Sequence, residues 1–437
     1  MARRKGTTGD DVLTGRGADD VLIGLAGNDT LTGGFGDDRL EPGTGIDHLF
    51  GSAGDDRAIV VELDAATPDT FDGGQGFDTV DLSRIARDTS GFFFSWSYDS
   101  QTDLYTVERP NTPIDAAAAL SFTNVEAVIG TRNDDLIVFA SSSDSMTIDA
   151  GAGDDWVRAG SGRQTVHGGT GDDQIDFGWG RVAFFGDDGN DEIDVGVAQS
   201  GAADGGDGFD TISGSGDVNL LRGYATGSGG SRIALSGFER ISMVGAADGS
   251  VATGDNRNNL LTGDGWPSNY VFYGMGGKDT IIGADGDDRM SGGKGDDLLD
   301  GGLGDDLLTG GQGADRFRIS DDLFSSPTGT DTITDYRHFQ GDRIDLSLVD
   351  ANPSTFDPDP LHYIGTAAFG ARSGEVRWEV RGGDAFVQVD VNGDSAADFE
   401  VRVIGTTTLR QSDFLFSDTA IALSGDAPHH PADGPMG

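Results

Sequence analysis

The chain has 437 residues, a net charge of −46, 72 glycines, 12 prolines and no cysteine. The missing cysteines exclude disulfide staples, thiolate metal sites and cysteine nucleophiles, and the acidity excludes nucleic acid as a partner, because its phosphates would be repelled. No apolar run approaches the ~18 residues that a spanning helix needs, so no transmembrane segment is expected.

In chain order, Met1-Ala2-Arg3-Arg4-Lys5 is cationic but lacks the following apolar run of a Sec signal peptide. The chain is therefore either cytosolic or exported by a route that reads a different signal. From Gly6 a nine-residue unit repeats through Gly15, Gly24, Gly33, Pro42 and Gly51. One copy, Gly33-Gly34-Phe35-Gly36-Asp37-Asp38-Arg39-Leu40-Glu41, shows the form G-G-x-G-x-D-x-U-x, with U apolar. The sixth position is Asp11, Asp20, Asp29, Asp38, Asp47 and Asp56; the eighth is Leu13, Leu22, Leu31, Leu40, Leu49 and Ala58. Acidic, glycine-rich composition alone would suggest disorder, but acids held in register with an aliphatic residue mark a structural repeat. Glycines at the first, second and fourth places let the backbone turn through positive φ and aim several carbonyl oxygens at one point. The aspartate adds an anionic oxygen, and an all-oxygen site suits Ca²⁺ rather than zinc or copper. One unit can neither close a coordination shell nor bury its leucine, so units must stack. Two units make one coil, with turns on its edges and strands on its faces, and calcium is expected between turns of units n and n+2.

A single copy follows at Gly73, with Asp78 in the sixth place. The second block steps by nine from Ala150 to Gly186 and regains register at Gly205. Its turn glycines include Gly168, Gly169 and Gly171, and its sixth positions are Asp155, Gln164, Asp173, Val182 and Asp191, then Asp210. Because units alternate edges, Gln164 and Val182 leave one edge without acids, and calcium is expected there on the other edge only. The third block steps through Gly274, Gly283, Gly292, Gly301 and Gly310, with Gly293, Gly295, Gly302, Gly304, Gly311 and Gly313 completing its turns. Asp279, Asp288, Asp297, Asp306 and Asp315 serve both of its edges. Same-edge neighbours give four sites in the first block and about three in each of the others, about ten Ca²⁺ in all.

Two irregular stretches each follow a G-G-x-G-F-D-T unit, at Gly73 and Gly205. Each ends in a strand-like entry, Phe122 to Ile129 and Phe238 to Val244, which points to an internal duplication. Within the first, Phe92-Phe93-Phe94-Ser95-Trp96-Ser97-Tyr98 and Leu104-Tyr105-Thr106-Val107 read as a hairpin. Its aromatic face either packs on the solenoid or binds sugar or lipid. The expected organisation is 6–81, 130–213 and 254–318 for the calcium blocks, 82–129 and 214–253 for the irregular segments, 319–416 for a β-rich cap and 417–437 for a disordered tail. In Asp390-Val391-Asn392-Gly393-Asp394 with Asp398, a hairpin turn and a further calcium loop remain alternatives.

These nonapeptides resemble those of the RTX family of secreted bacterial proteins, whose hemolysin-type repeats wind into a calcium-filled parallel β-roll. From Gly310 to Phe416 the order of segments is similar to the carboxy-terminal region of serralysin-type metallopeptidases. The resemblance implies an all-β fold: a parallel β-roll or β-helix solenoid with Ca²⁺-binding turns, capped by a carboxy-terminal β-rich domain. It also implies type I secretion, guided by an uncleaved segment near Asp413-Phe414-Leu415-Phe416. The six histidines never form the zinc helix H-E-x-x-H, and neither G-x-S-x-G nor a phosphate-binding loop is present. The expected function is that of a secreted calcium-binding protein which folds outside the cell, a non-enzymatic surface, matrix, adhesion or host-interaction protein. Its candidate partners are calcium, a type I secretion system, cell-surface glycans and a host surface. The alternative is an extracellular enzyme acting on polysaccharide or protein (epimerase-, lyase- or peptidase-type), or the accessory module of one.

Overall fold

An apolar residue repeating every nine positions, on strands that return every eighteen, must form continuous interior ladders. That is how the chain folds. Leu22, Leu40, Ala58, Val80 and Val128 lie side by side on successive parallel strands of one sheet. Leu31, Leu49, Phe71 and Phe122 do the same in the facing sheet. Every one of these side chains is at most 2% exposed, and each such Leu, Val or Phe contributes about 1.5–3 kcal/mol by leaving water. The computed structural model describes residues 1–62, 68–85, 94–99, 104–108, 120–138, 145–176, 180–196, 200–227, 230–264, 268–319, 330–351 and 359–416. Among them there is no α-helix, and none is long and apolar enough to cross a membrane.

Sheet one contains Val21–Ala26 and sheet two contains Thr30–Phe35. Turns leading from sheet one into sheet two form the near edge of the solenoid; turns leading back form the far edge. In the middle of the first block, from Val21 to Ala53, the strands on both faces are six residues long. In the second block they alternate between eight (Arg163–Thr170, Arg181–Asp188) and three (Trp156–Arg158, Gln174–Asp176). The longer strands begin on the far edge, where Gln164 and Val182 stand in the aspartate position. With no acid to organise a turn, pairing runs on through Arg163, Arg181 and Ser200.

Both irregular stretches leave the coil in the same way. In sheet two the ladder runs Asp69–Gln75, Leu120–Thr123, Leu104–Glu108, Phe94–Asp99, Asp135–Val138, with parallel outer pairings and antiparallel inner ones. In sheet one it runs Ser200–Asp207, Arg232–Ser236, Tyr224–Thr226, Val218–Asn219, Val251–Thr253, in the same pattern. The duplicated topology is thus installed once in each sheet. Ladder position sets its equivalences. Phe122 pairs with Phe71 as Leu235 pairs with Ala203, so Phe238 corresponds to Val125, three residues on. The expected hairpin is the Phe94–Asp99 and Leu104–Glu108 pair; its aromatic side chains, with Phe92 and Phe93, and the tail from Ser417 lie outside the described residues.

The cap shares the solenoid's core instead of building its own. Ile333 continues the Leu308 ladder, and Ile344 then Phe414 continue the Phe317 ladder. An antiparallel meander of Glu375–Arg381, Asp384–Asp390 and Phe399–Val403 closes sheet one.

Candidate metal turns

The turn after Leu31 shows how the repeat builds a site. Gly34 and Gly36 sit at φ of 115° and 106°, which only glycine adopts without cost. Asp38 is 2% exposed, and its Oδ1 accepts the backbone N–H of Asp20, eighteen residues earlier, at 2.6 Å. The same bond links Asp11 to Asp29, Asp29 to Asp47 and Asp38 to Asp56 at 2.7–2.8 Å. It recurs from Asp155 to Asp173 and Asp173 to Asp191, and from Asp279 to Asp297 and Asp288 to Asp306, at 2.7–2.9 Å. The sixth-position aspartates are therefore brought into columns. Asp11, Asp29, Asp47, Asp155, Asp173, Asp191, Asp210, Asp279, Asp297 and Asp315 line the near edge; Asp20, Asp38, Asp56, Asp78, Asp288 and Asp306 line the far edge.

The second carboxylate oxygen separates the turns into two kinds. In Asp29, Asp38, Asp47, Asp56, Asp78, Asp155, Asp173, Asp191, Asp210, Asp279, Asp288, Asp297, Asp306 and Asp315, Oδ2 is buried without a hydrogen-bond partner. At each of these turns the second residue has positive φ. That residue is usually glycine, but it is Leu25 (91°), Ser52 (88°), Asp187 (72°), Met275 (79°) and Ala284 (76°) at five of them. A non-glycine residue held there stores on the order of 1–3 kcal/mol. At the turns of Asp11, Asp20, Asp135 and Asn259 the second residue is not left-handed, and its N–H bonds the side-chain oxygen. Thr7 donates to Asp11 Oδ2 at 2.6 Å, Arg16 to Asp20 Oδ2 at 2.7 Å and Thr131 to Asp135 Oδ2 at 2.7 Å. Asp255 donates to Asn259 in the same way. These four turns stand at the head of a column or directly after an irregular stretch; at the foot of the near column Asp342 Oδ2 also accepts an N–H, from Arg337 at 2.7 Å.

Several participants are not marked by the nonapeptide. Asp69 and Asp342 occupy column positions that irregular spacing hides, and Asp135 is the sixth residue of an isolated unit starting at Gly130: Asp69 accepts from Asp47, Asp342 accepts from Asp315 and Asp135 donates to Asp155. A second, outer column is formed by the residue before each aspartate, with opposite polarity. Asp10 accepts the N–H of Asn28, Asn28 that of Ile46, Asp37 that of Asp55 and Asp154 that of Asp172. Phe77 and Phe209 fill this place without an acceptor, and each is the last regular turn before an irregular stretch. The Asp-Asp and Asn-Asp pairs in the sequence were the available signal for this column.

Burial drives the column acids toward their protonated forms, and the stacked neighbouring carboxylates add to it. The carboxyls of Asp173, Asp191, Asp279 and Asp315 are pushed up to about 7, Asp288 to about 8 and Asp155 to about 9. Asp20 is held below the usual range by the N–H groups of Ala2 and Arg16. In the cap, by contrast, both oxygens of Asp390 accept N–H bonds, from Gly393 at 2.6 Å and Ser395 at 2.9 Å. Asp398 Oδ2 accepts from Val391 and Asn392. That loop uses its acids on its own backbone, as a turn does.

The open turns fit a hard cation. A Cβ placed on Gly51 would run into Asp56 Oδ2 and lie 2.5 Å from the Gly73 carbonyl oxygen of the next coil. On Gly274 it would meet Asp279 Oδ2 and lie 2.5 Å from the Gly292 carbonyl. Such a point is flanked by an orphaned carboxylate oxygen and a carbonyl from the adjacent coil, the donor set Ca²⁺ takes. Among the described residues no three acidic or imidazole side chains gather around one point, so a cation held there would take its remaining ligands from the backbone.

The AlgE6R3 subunit of the Azotobacter vinelandii mannuronan C5-epimerase is similar at 25% identity over 42% of this chain and 91% of its own, with a TM-score of 0.20. The extracellular lipase LipA of Serratia marcescens is similar at 15% identity over 63% of this chain and 45% of its own, with a TM-score of 0.19. No curated protein matches. The model of the peptidase M10 serralysin C-terminal family matches residues 4–416, nearly the whole chain, and with its RTX-type repeats the chain belongs to that family.

Proposed function

We propose that this chain is a secreted calcium-binding protein that folds outside the cell when Ca²⁺ enters its open turns. Its role is that of a non-enzymatic surface, matrix, adhesion or host-interaction protein. The observation that carries the calcium reading is the row of buried aspartate Oδ2 atoms without partners, each beside a turn whose second residue is left-handed. A buried carboxylate oxygen left unpaired is costly, and a divalent cation removes that cost at every turn together. RTX-type repeats bind Ca²⁺ as a family, and extracellular calcium modules commonly have Kd of about 10⁻⁴–10⁻³ M. At that affinity the chain would stay unfolded in a calcium-poor cytosol and fold after leaving through a type I channel. The two irregular stretches, which leave the coil and carry no regular nonapeptide, are the surfaces offered to glycans or a host.

The test is to express the chain with a matching type I transporter and follow it in cytosol, cell-surface fraction and supernatant, with and without chelator. Calcium-dependent surface retention is expected, and truncation before Ser412 should keep the protein inside the cell. Normal secretion of the truncated chain would remove the type I assignment. Turnover of alginate, pectin, casein or a lipase ester by the calcium-loaded protein would overturn the non-enzymatic role.

A further inference from the structure

The far column before the first irregular stretch and the near column before the second each end on a glutamate. Asp78 is fully buried; its Oδ2 has no partner, while its N–H donates to Glu126 Oε2 at 2.8 Å. Asp210 is likewise fully buried with an orphaned Oδ2, and its N–H donates to Glu239 Oε2 at 3.2 Å. In each case the glutamate carboxylate stands where the next aspartate of the column would be. The backbone repeats the substitution. Asn124 and Gly237, each two residues before its glutamate, are left-handed at φ of 53° and 80°. A Cβ on Gly73 would run into the Asn124 carbonyl oxygen and lie 2.7 Å from Asp78 Oδ2. That is the arrangement between Gly51, Asp56 Oδ2 and the Gly73 carbonyl one coil earlier. The second residues of both turns, Gly74 and Gly206, are left-handed at 106° and 108°, as in every open turn.

We infer that each column is closed by a further divalent-cation site, Asp78 with Glu126 and Asp210 with Glu239, which no nonapeptide specifies. The inference rests on the calcium reading above and adds two sites to it. Their consequence is mechanical. The strands Leu120–Thr123 and Arg232–Ser236, immediately before the glutamates, are the inner rungs of the two meanders. Calcium at these sites pins each meander to the end of its column, so both surfaces order only when the metal is present. The two sites are unequal. Glu239 also accepts from Arg257, whose positive charge opposes a cation, so the Asp210 site is the weaker.

The test compares wild type, Glu126→Gln, Glu239→Gln and the double variant by equilibrium dialysis against calcium with elemental analysis. Gln keeps the acceptor for the Asp78 or Asp210 N–H and removes only the charge. Each single variant is expected to bind one calcium fewer and the double variant two fewer, with the Glu239 loss appearing at the higher calcium concentration. Hydrogen exchange on the same samples should show protection lost in 120–129 or 232–243 and retained in 163–194, which reports that the coil itself is folded. A wild type that binds no calcium defeats the underlying reading. A wild type that binds calcium, with variants of unchanged stoichiometry and unchanged meander protection, defeats this inference alone. Loss of protection in 163–194 as well would also overturn it, because the glutamates would then be general supports of the coil.

Discussion

Asp173 and Gln164 occupy the same place in the repeat on opposite edges of the second block, and replacing each with alanine separates metal binding from packing. Asp173 Oδ1 accepts the N–H of Asp155 at 2.8 Å and its Oδ2 is orphaned, with Asp191 stacked on its other side. Asp173→Ala strands a buried N–H, at a cost of about 1–3 kcal/mol. It also removes a ligand shared by two stacked sites. With calcium at 100 times Kd, each lost site removes about 2.7 kcal/mol of linked stability. The sum is about 6–8 kcal/mol at saturating calcium if both sites are lost, comparable to the whole stability of a typical domain. Gln164 is fully buried between Met146 and Val182, and Gln164→Ala should cost about 1–3 kcal/mol through its lost polar and packing contacts. Bound calcium by elemental analysis and urea midpoints at saturating calcium measure the two effects. Asp173→Ala should lower both quantities, losing one or two ions; Gln164→Ala should lower the midpoint only. Equal calcium loss from the two variants would refute the two-units-per-coil assignment of edges.

Acid should act oppositely on the two forms of the protein. Asp155, Asp173, Asp191 and Asp288 have carboxyls raised to about 7–9 in the fold, above their unfolded value near 4. Their contribution to the metal-free fold is therefore present below pH about 4 and lost as pH rises through 7–9. Calcium-stripped protein should gain β-structure on acidification while calcium affinity falls; either trend reversed, in circular dichroism or dialysis between pH 4 and 8, would contradict this reading. Phe317, fully buried between Leu299 and Ile344 at the junction of repeats and cap, should cost about 3–5 kcal/mol as Phe317→Ala. Exchange protection in 330–351 should fall first, and a cap as protected as wild type would contradict the shared core. Leu25→Gly should relieve left-handed strain and raise the calcium-loaded urea midpoint; a lower midpoint would show that the Leu25 side chain outweighs its backbone.

The repeating part of the fold was readable because one constraint, an apolar residue every nine positions, sets coil length, register and interior together. Leu22 stacks on Leu40 for the same reason that Asp20 stacks under Asp38. The division into open and closed turns was not readable from composition. Leu25 and Met275 are left-handed while Thr7 and Arg16 are not, and no rule of residue type separates Leu25 from Arg16. The difference lies in position, since the turns of Thr7 and Arg16 head their columns. Asp69 and Asp342 escaped notice because their coils are 22 and 27 residues long, which breaks the count by nine. The glutamates at the column ends lie outside any repeat, and only long-range pairing brings Glu126 to Asp78.

The central claim is that calcium supplies the free energy that folds this chain. Coils stack about 4.8 Å apart, and two carboxylates at about 5 Å repel by roughly 3 kcal/mol at an effective dielectric near 20. Several such pairs, repeated down both edges, exceed the ~5–15 kcal/mol stability of an ordinary domain. The most direct measurement is a far-UV circular dichroism titration of the full chain at pH 7.5, from excess chelator to about 10 mM calcium. The expected result is a disordered spectrum in chelator and a cooperative rise of β-signal with calcium. A complete β-spectrum in excess chelator, unchanged by added calcium, would contradict the account.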